Sequence, residues 1–221
     1  MNIELKNVTK IIGGNTVVNK VNLSMKSGII YGLCGYNGCG KTMLMRLVSG
    51  LIIPTEGEII INEKHLGKDM DFPEKMGILI ENPAFLGSLS GFENLRLLAS
   101  IKGHINENKI KETISRVGLN PDDKKKYRKY SLGMKQRLGI AAAVMESPEL
   151  IILDEPTNAL DSSGVEITKN LIKEEKERGA LVIMTCHDNM ILEEVCDIVY
   201  TIENGSIIKE KILSMEDDEN E

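Results

Sequence analysis

The stretch from Gly28 to Gly50, GIIYGLCGYNGCGKTMLMRLVSG, decides the fold. It opens on a short apolar run, turns through glycines, and continues from Lys41 into a segment that stops at Gly50. A short apolar run bounded by glycine reads as a buried parallel strand, and the segment after it as a helix. Between them GYNGCGKT, Gly35 to Thr42, satisfies G-x-x-x-x-G-K-[ST] in the strand–loop–helix setting that the pattern requires. The glycines let backbone N–H groups of Tyr36, Asn37, Gly38, Cys39 and Gly40 turn inward around a phosphate, and the helix entered through Lys41, Thr42 and Met43 adds its dipole. Lys41 can reach the β- and γ-phosphates of a nucleoside triphosphate, and the Thr42 hydroxyl can ligate Mg²⁺. A glycine-rich turn arising by chance rarely meets all of these conditions.

A second apolar run supplies the complement. LIILDEP, Leu150 to Pro156, ends a buried strand in two carboxylates. Asp154 falls where a strand end can deliver it to Mg²⁺ beside the phosphate loop, and Glu155 where a base can polarise an attacking water. A third element, YSLGMKQRLG at 130–139, again sets small residues before a helix that starts near Met134. In that helix Met134, Leu138, Ala141, Ala142 and Met145 fall on one face at helical spacing.

Outward from these motifs the chain divides by pattern. NIELKNVTKI and TVVNKVNLSMK alternate apolar and polar residues, as a half-exposed antiparallel sheet does. EGEIIIN and MGILI add strands, and ALVIMT is another buried one. Between Pro83 and Pro148 the pattern turns helical, with GFENLRLLASIKG and NENKIKETISRVG closed by glycine. A charged helix covers EITKNLIKEEKERG, and DIVYTIENG with SIIKEKI predicts a hairpin through Asn204-Gly205. The expected class is α/β, with a mixed-sheet core, an antiparallel β lobe and a helical lobe inserted over about 83–148, all within one domain over 1–212. The acidic end, 213–221, is expected to be disordered.

The bulk properties bound the partners. The chain has 221 residues, enough for one core with an inserted lobe. Lys plus Arg total 27 against 33 Asp plus Glu, for a net charge of −6, the opposite of a general nucleic-acid coat. The basic run Lys124–Lys126 with Arg128 and Lys129 reads as a solvated linker in preference to a patch that touches lipid headgroups or nucleic acid. Cys34, Cys39, Cys186 and Cys196 match neither zinc nor redox spacing and read as reduced structural thiols. No apolar run reaches the ~18 residues of a membrane span, so a membrane would enter through another chain.

Taken in order, Gly35–Thr42, Ser131–Gln136, Asp154–Glu155, NALD at Asn158–Asp161 and His187 in TCHD resemble the motifs of ATP-binding cassette (ABC) ATPases. The resemblance covers nearly the whole chain and implies the P-loop NTPase fold of that family. In the family two cassettes stack head to tail. The resemblance therefore implies a homodimer sandwiching two ATP with Mg²⁺, in which Ser131, Leu132, Gly133, Met134 and Gln136 form a signature serving the partner's nucleotide. By the same resemblance His187 is the switch histidine beside the γ-phosphate, and Asp161 crosses the dimer interface. A separate membrane permease would be the partner, placing the chain in the cytoplasm, peripheral on the inner face of the plasma membrane.

Three departures from the family pattern carry information. The common form of the signature is Leu-Ser-Gly-Gly-Gln. Here Leu132 takes the place of a glycine, and Gln136 stands later than the pattern puts its glutamine. Where the family has an adenine-stacking aromatic, TKIIGG offers only Ile11 and Ile12, which predicts weaker base discrimination. LIENPAF puts Glu81 where, in the family, a glutamine normally meets metal and water, so the resemblance implies that Glu81 is a catalytic and metal-contacting residue that links the site to the membrane partner. Phe85 and Phe92 follow closely and read either as lobe packing or as a groove for a permease helix. LIENPAF and YSLGMKQRLGIA together resemble the bacitracin-resistance and lantibiotic self-protection exporters, implying export of an antimicrobial peptide or drug. A soluble ABC ATPase acting on nucleic acid or ribosomes is the alternative. Such proteins usually carry two cassettes or long coiled coils, and this chain has one cassette and no heptad run. A nucleotide-gated module that hardly hydrolyses ATP is disfavoured by Glu155 and His187.

Overall fold

Two sheets and a group of helices enclose two apolar cores in the computed structural model, which describes residues 1–103 and 105–213. The acidic residues 214–221 lie outside the described residues.

The first sheet is antiparallel, in the order β2 (Asn15–Lys26), β1 (Asn2–Ile12), β4 (Glu56–Ile61), β5 (Lys64–His65). Alternation buries Ile3 and Leu5 as the pattern predicts. Register shifts after Leu5 then place Val8 and Thr9 inside together. Bulges of this kind add twist and re-aim side chains, and nothing in the alternation announces them.

The second sheet runs β10 (Ser206–Ile212), β9 (Ile198–Glu203), β3 (Ile30–Cys34), β8 (Leu181–Thr185), β7 (Leu150–Leu153), β6 (Met76–Leu79). Its strands are parallel except for the β9–β10 hairpin, which turns through Asn204 and Gly205 at φ 47° and 76°. Both positive angles suit the asparagine and glycine found there. β7 and β8 are buried along their whole length, as continuous apolar strands covered on both faces must be. One core lies between this sheet and the antiparallel one around α1 (Lys41–Val48); the other lies under the helices.

The helices between β6 and β7 are α2 (Gly91–Lys102), α3 (Glu107–Arg116) and α4 (Leu132–Val144), with a single 3₁₀ turn at Tyr127–Lys129. α4 differs from its sequence reading twice. It begins at Leu132, two residues before Met134, because Ser131 caps it by accepting the Met134 N–H at 3.2 Å. It is also buried on more than one face: Leu138, Ala141 and Met145 are inside, and so are Gln136, Gly139, Ile140, Ala143 and Val144. The cause is position, since α4 contacts β6 and β7 on one side and α2, α3 and α5 (Ser162–Glu177) on others. At Gly77 of β6 a Cβ would stand 1.7 Å from the Ala143 carbonyl oxygen, so only glycine lets helix and strand approach this closely. α6 (Asn189–Val195) completes the layer. The four cysteines are unpaired, and burial pushes the Cys196 thiol up to about 12, which suits an inert structural residue. Among the described residues no helix is long and apolar enough to cross a membrane.

α2 starts at a reciprocal cap. The Ser90 side chain accepts the Glu93 N–H, and the Glu93 carboxylate accepts the Ser90 N–H at 2.6 Å and a Lys126 ammonium proton at 3.2 Å. These donors, the Ser90 backbone first, lower the Glu93 carboxyl from 4.5 to about 2. A carboxyl whose folded value is depressed stabilises the fold only while ionised. Its contribution is therefore complete above about 4.5 and disappears as pH falls from there toward 2. Glu93→Gln should unfold at lower urea than the native chain at neutral pH, and the gap should narrow as the pH enters that window. A gap independent of pH would contradict the assignment.

Candidate functional site

Parallel pairing of β3, β8 and β7 puts their carboxyl ends side by side, and each end carries a piece of the site. β3 runs into the loop Gly35–Gly40, β7 into Asp154 and Glu155, and β8 into His187. Asn37, Gly38, Gly40, Lys41, Thr42, Met43, Asp154, Glu155 and His187 line one cleft with Val17 of β2.

The loop is shaped for an anion. Gly40 precedes α1 at φ 115°, and a Cβ there would lie 2.6 Å from the Val17 carbonyl oxygen. Among the described residues no side chain caps α1, whereas Ser90, Asn106, Ser131, Asp161 and Asp188 cap α2 to α6. Its first N–H groups have no side-chain cap, and with the helix dipole behind them they can receive a phosphate. Lys41 is buried, and its ammonium donates to the carbonyl oxygens of Gly35 at 2.8 Å and Tyr36 at 3.2 Å, with the buried Cys39 Sγ at 3.9 Å. Tyr36 turns away from the cleft: its hydroxyl donates to the Asn204 carboxamide and accepts the Asn204 N–H.

A hydrogen-bonded chain fixes the acidic side. The Thr42 hydroxyl donates to Asp154 Oδ2 at 2.7 Å, and the Thr185 hydroxyl donates to Asp154 Oδ1 at 2.7 Å. Thr185 Oγ1 in turn accepts the Glu155 N–H at 2.8 Å. The Glu155 carboxylate accepts the His187 N–H at 3.0 Å, and its other oxygen lies 3.5 Å from His187 Nε2. Glu155 sits at φ 51°, a left-handed conformation that costs a side-chain-bearing residue about 1–3 kcal/mol unless its surroundings impose it. Burial raises its carboxyl above the ordinary range, His187 and Lys41 pull it back, and Asp154 adds to the rise. A carboxylate so placed can accept a proton from water. Thr42 and Asp154 together offer the hard oxygen donors that suit Mg²⁺, so the residues present fit that ion.

The remaining predicted residues lie elsewhere. Ser131, Leu132, Gly133 and Met134 line a separate cleft with Ala159, Asp161, Arg137 and the α3–α4 connection at Gly118–Asn120. Leu132 is 71% exposed there. Asp161 caps α5 through the Gly164 N–H and pairs with Arg137 at 2.5 Å. Gln136 is not in that cleft: it is buried, and its Nε2 donates to the Glu155 carbonyl oxygen at 2.9 Å. Glu81, expected beside Thr42 and Asp154, is instead paired with Arg46 of α1, whose guanidinium offsets its charge. It opens a third cavity, an apolar groove lined by Leu51, Ile78, Phe85, Leu98 and Ala142. Phe85 lies on that groove and packs edge-on against Tyr127, whose hydroxyl donates to the Pro83 carbonyl at 2.6 Å.

Sequence reasoning missed Val17, Thr185 and Arg46. Thr185 had a signal: it is the one polar residue ending the apolar run LVIMT. Only the pairing of Leu153 with Met184 reveals that it stands beside Asp154.

Residues 18–158 match the family described as ABC transporter. The uncharacterized ABC transporter ATP-binding protein YybJ of Bacillus subtilis is 44% identical over 97% of this chain and 99% of its own length. The bacitracin transport ATP-binding protein BcrA of Enterococcus faecalis is 40% identical, over 96% of this chain and 70% of its own. The lantibiotic transport ATP-binding protein SrtF of Streptococcus pyogenes is 36% identical over 95% and 90%. Among solved structures, the dimeric post-hydrolysis state of the ATP-binding cassette MJ0796 bound to ADP and Pi superposes with a TM-score of 0.86, at 26% identity over 96% of this chain and 99% of that one.

Thr185, fully buried, is the hinge of the acidic side. Thr185→Val keeps its shape but removes a donor to Asp154 and an acceptor for the Glu155 N–H. The variant should lose about 1–3 kcal/mol in urea unfolding without nucleotide, the cost of leaving such groups unpaired. A loss within about 0.5 kcal/mol, the level of an ordinary surface change, would contradict the hinge.

Proposed function

The chain belongs to the ABC transporter family as an ATP-binding, ATP-hydrolysing subunit, and from that premise we propose that two copies close head to tail around two ATP to drive a permease that exports an antimicrobial peptide. The observation that carries this reading is the separation of the two motif clefts. Lys41, Thr42, Asp154, Glu155 and His187 share one, while Ser131 and Gly133 open on another, so a single chain holds two halves of different sites.

In each assembled site the amides of Gly38, Gly40 and α1, with Lys41, bind the phosphates. Thr42 and Asp154 would hold Mg²⁺, which supplies positive charge where negative charge develops on the transferred phosphoryl group. Glu155 polarises the attacking water and takes its proton; burial makes its carboxylate a better proton acceptor, and the hydrogen bonds to its N–H, carbonyl and carboxylate hold it in place for that step. His187, tied to Glu155 through its own N–H, orients the water at the γ-phosphate. The partner's Ser131 has given its acceptor to the Met134 N–H but keeps its hydroxyl proton for the γ-phosphate, and Gly133 allows close approach. Asp161, beside that signature cleft, lies at the dimer interface. Exposed Ile11 and Ile12 at the end of β1 form an aliphatic face for the base.

The groove with Glu81 at its mouth is the surface for the permease, and through it the chain sits on the inner face of the membrane. The Arg46–Glu81 pair connects that groove to α1, whose first residues bind phosphate. Identity of 36–40% to proteins named for bacitracin and lantibiotic transport supports a peptide antibiotic as cargo.

Glu155→Gln keeps the side chain's size and removes the base. Turnover should fall by about 10²–10⁴ while ATP still binds, and the ATP-bound variant should elute as a dimer. Co-produced with its permease in a sensitive bacterium, the native chain should raise tolerance to a peptide antibiotic and the variant should not. Monomeric elution with ATP bound would contradict the sandwich; a dimer without gain of tolerance would contradict the cargo alone.

A further inference from the structure

Gln136 lies in the helix that follows the signature, yet its side chain turns away from the signature cleft and into its own chain. It is 8% exposed, one turn inside α4, and its Nε2 donates to the Glu155 carbonyl oxygen at 2.9 Å. That carbonyl also accepts the Asn158 N–H at 3.1 Å, which closes the turn leading to Ala159 and Asp161. Glu155 is thus held at three points: its N–H by Thr185, its carboxylate by the His187 N–H, and its carbonyl by Gln136 and the Asn158 N–H. Of these four holders only Gln136 comes from α4.

We propose that Gln136 is a positioning residue that couples the two ATP sites through one chain, a reading that rests on the sandwich proposed above. The N-terminus of α4, with Ser131 and Gly133, meets the ATP of one site. One helical turn later the same rigid element grips the backbone of Glu155, which serves the other site. A shift of α4 when its end closes on a phosphate is carried by the Gln136 amide to the Glu155 peptide. Glu155 at φ 51° is sensitive to such a shift, because that conformation holds only while its neighbours impose it. The coupling is therefore carried by one hydrogen bond, between a helix and the end of a strand.

Gln136→Met keeps length and helix propensity and removes the donor. Gln136→Asn keeps the amide and withdraws it by one methylene. In either folded variant kcat should fall by about ten- to a hundredfold, the scale of a misplaced catalytic group, while KM for ATP stays within about twofold. The Hill coefficient for ATP should fall from a value approaching the two sites toward one. A glutamine that only satisfies a buried niche would lower the unfolding midpoint and leave the Hill coefficient, read well below that midpoint, unchanged. Unchanged cooperativity in a folded variant overturns the coupling and leaves the sandwich standing. Collapse of both variants overturns it also, by making the residue structural. A native chain that dimerises with ATP but turns over without cooperativity overturns the coupling alone; one that neither dimerises nor cooperates overturns the sandwich as well.

Discussion

Three buried strands paired in parallel, β3, β8 and β7, are the constraint on which everything else rests. Their register sets Leu33 beside Thr185 and Leu153 beside Met184, so the phosphate loop, the Asp154–Glu155 pair and His187 leave the sheet at the same edge. Ligand sites at the carboxyl ends of parallel strands follow from that arrangement, since the loops there converge while the sheet below stays rigid. The Thr185 hydroxyl then converts proximity into geometry. One oxygen donates to Asp154 and accepts from the Glu155 N–H, which locks the candidate metal carboxylate and the candidate base into one unit.

The helices between β6 and β7 use that rigid edge differently. α4 is buried against β6 so closely that Gly77 must lack a side chain, and this fixes where both ends of the helix lie. Its capped beginning lines the signature cleft, and its next turn reaches Glu155 through Gln136. The same element that the proposed sandwich turns toward a second molecule is therefore tied to Glu155 of its own chain. Arg46 plays a comparable part on the other side, joining α1 to Glu81 and the apolar groove.

Much of this was legible in the sequence because the physics was local. A glycine-bounded apolar run followed by GCGKT can do little else than turn around a phosphate, and LIILDEP states its own burial and its terminal charge. The hairpin at Asn204-Gly205 is encoded by two residues that tolerate positive φ. What escaped depends on contacts between distant segments. The burial of α4 on more than one face comes from its neighbours on several sides, so one-face periodicity understated it. The partner of Glu81 could not be read from LIENPAF, because Arg46 comes from a helix 35 residues earlier. The resemblance groups Gln136 with the signature residues, and only the packing of α4 against the end of β7 turns it toward its own Glu155.

The central claim is that one chain holds two incomplete sites that complete each other between copies. Mixing two inactive variants tests it directly: Lys41→Ala, which breaks the phosphate loop, and Ser131→Arg, which blocks the signature. A mixed dimer of these chains holds one site with both halves broken and one with both halves intact. The account predicts that each variant alone is inactive and that the mixture hydrolyses ATP. A mixture no more active than the sum of its parts would contradict it.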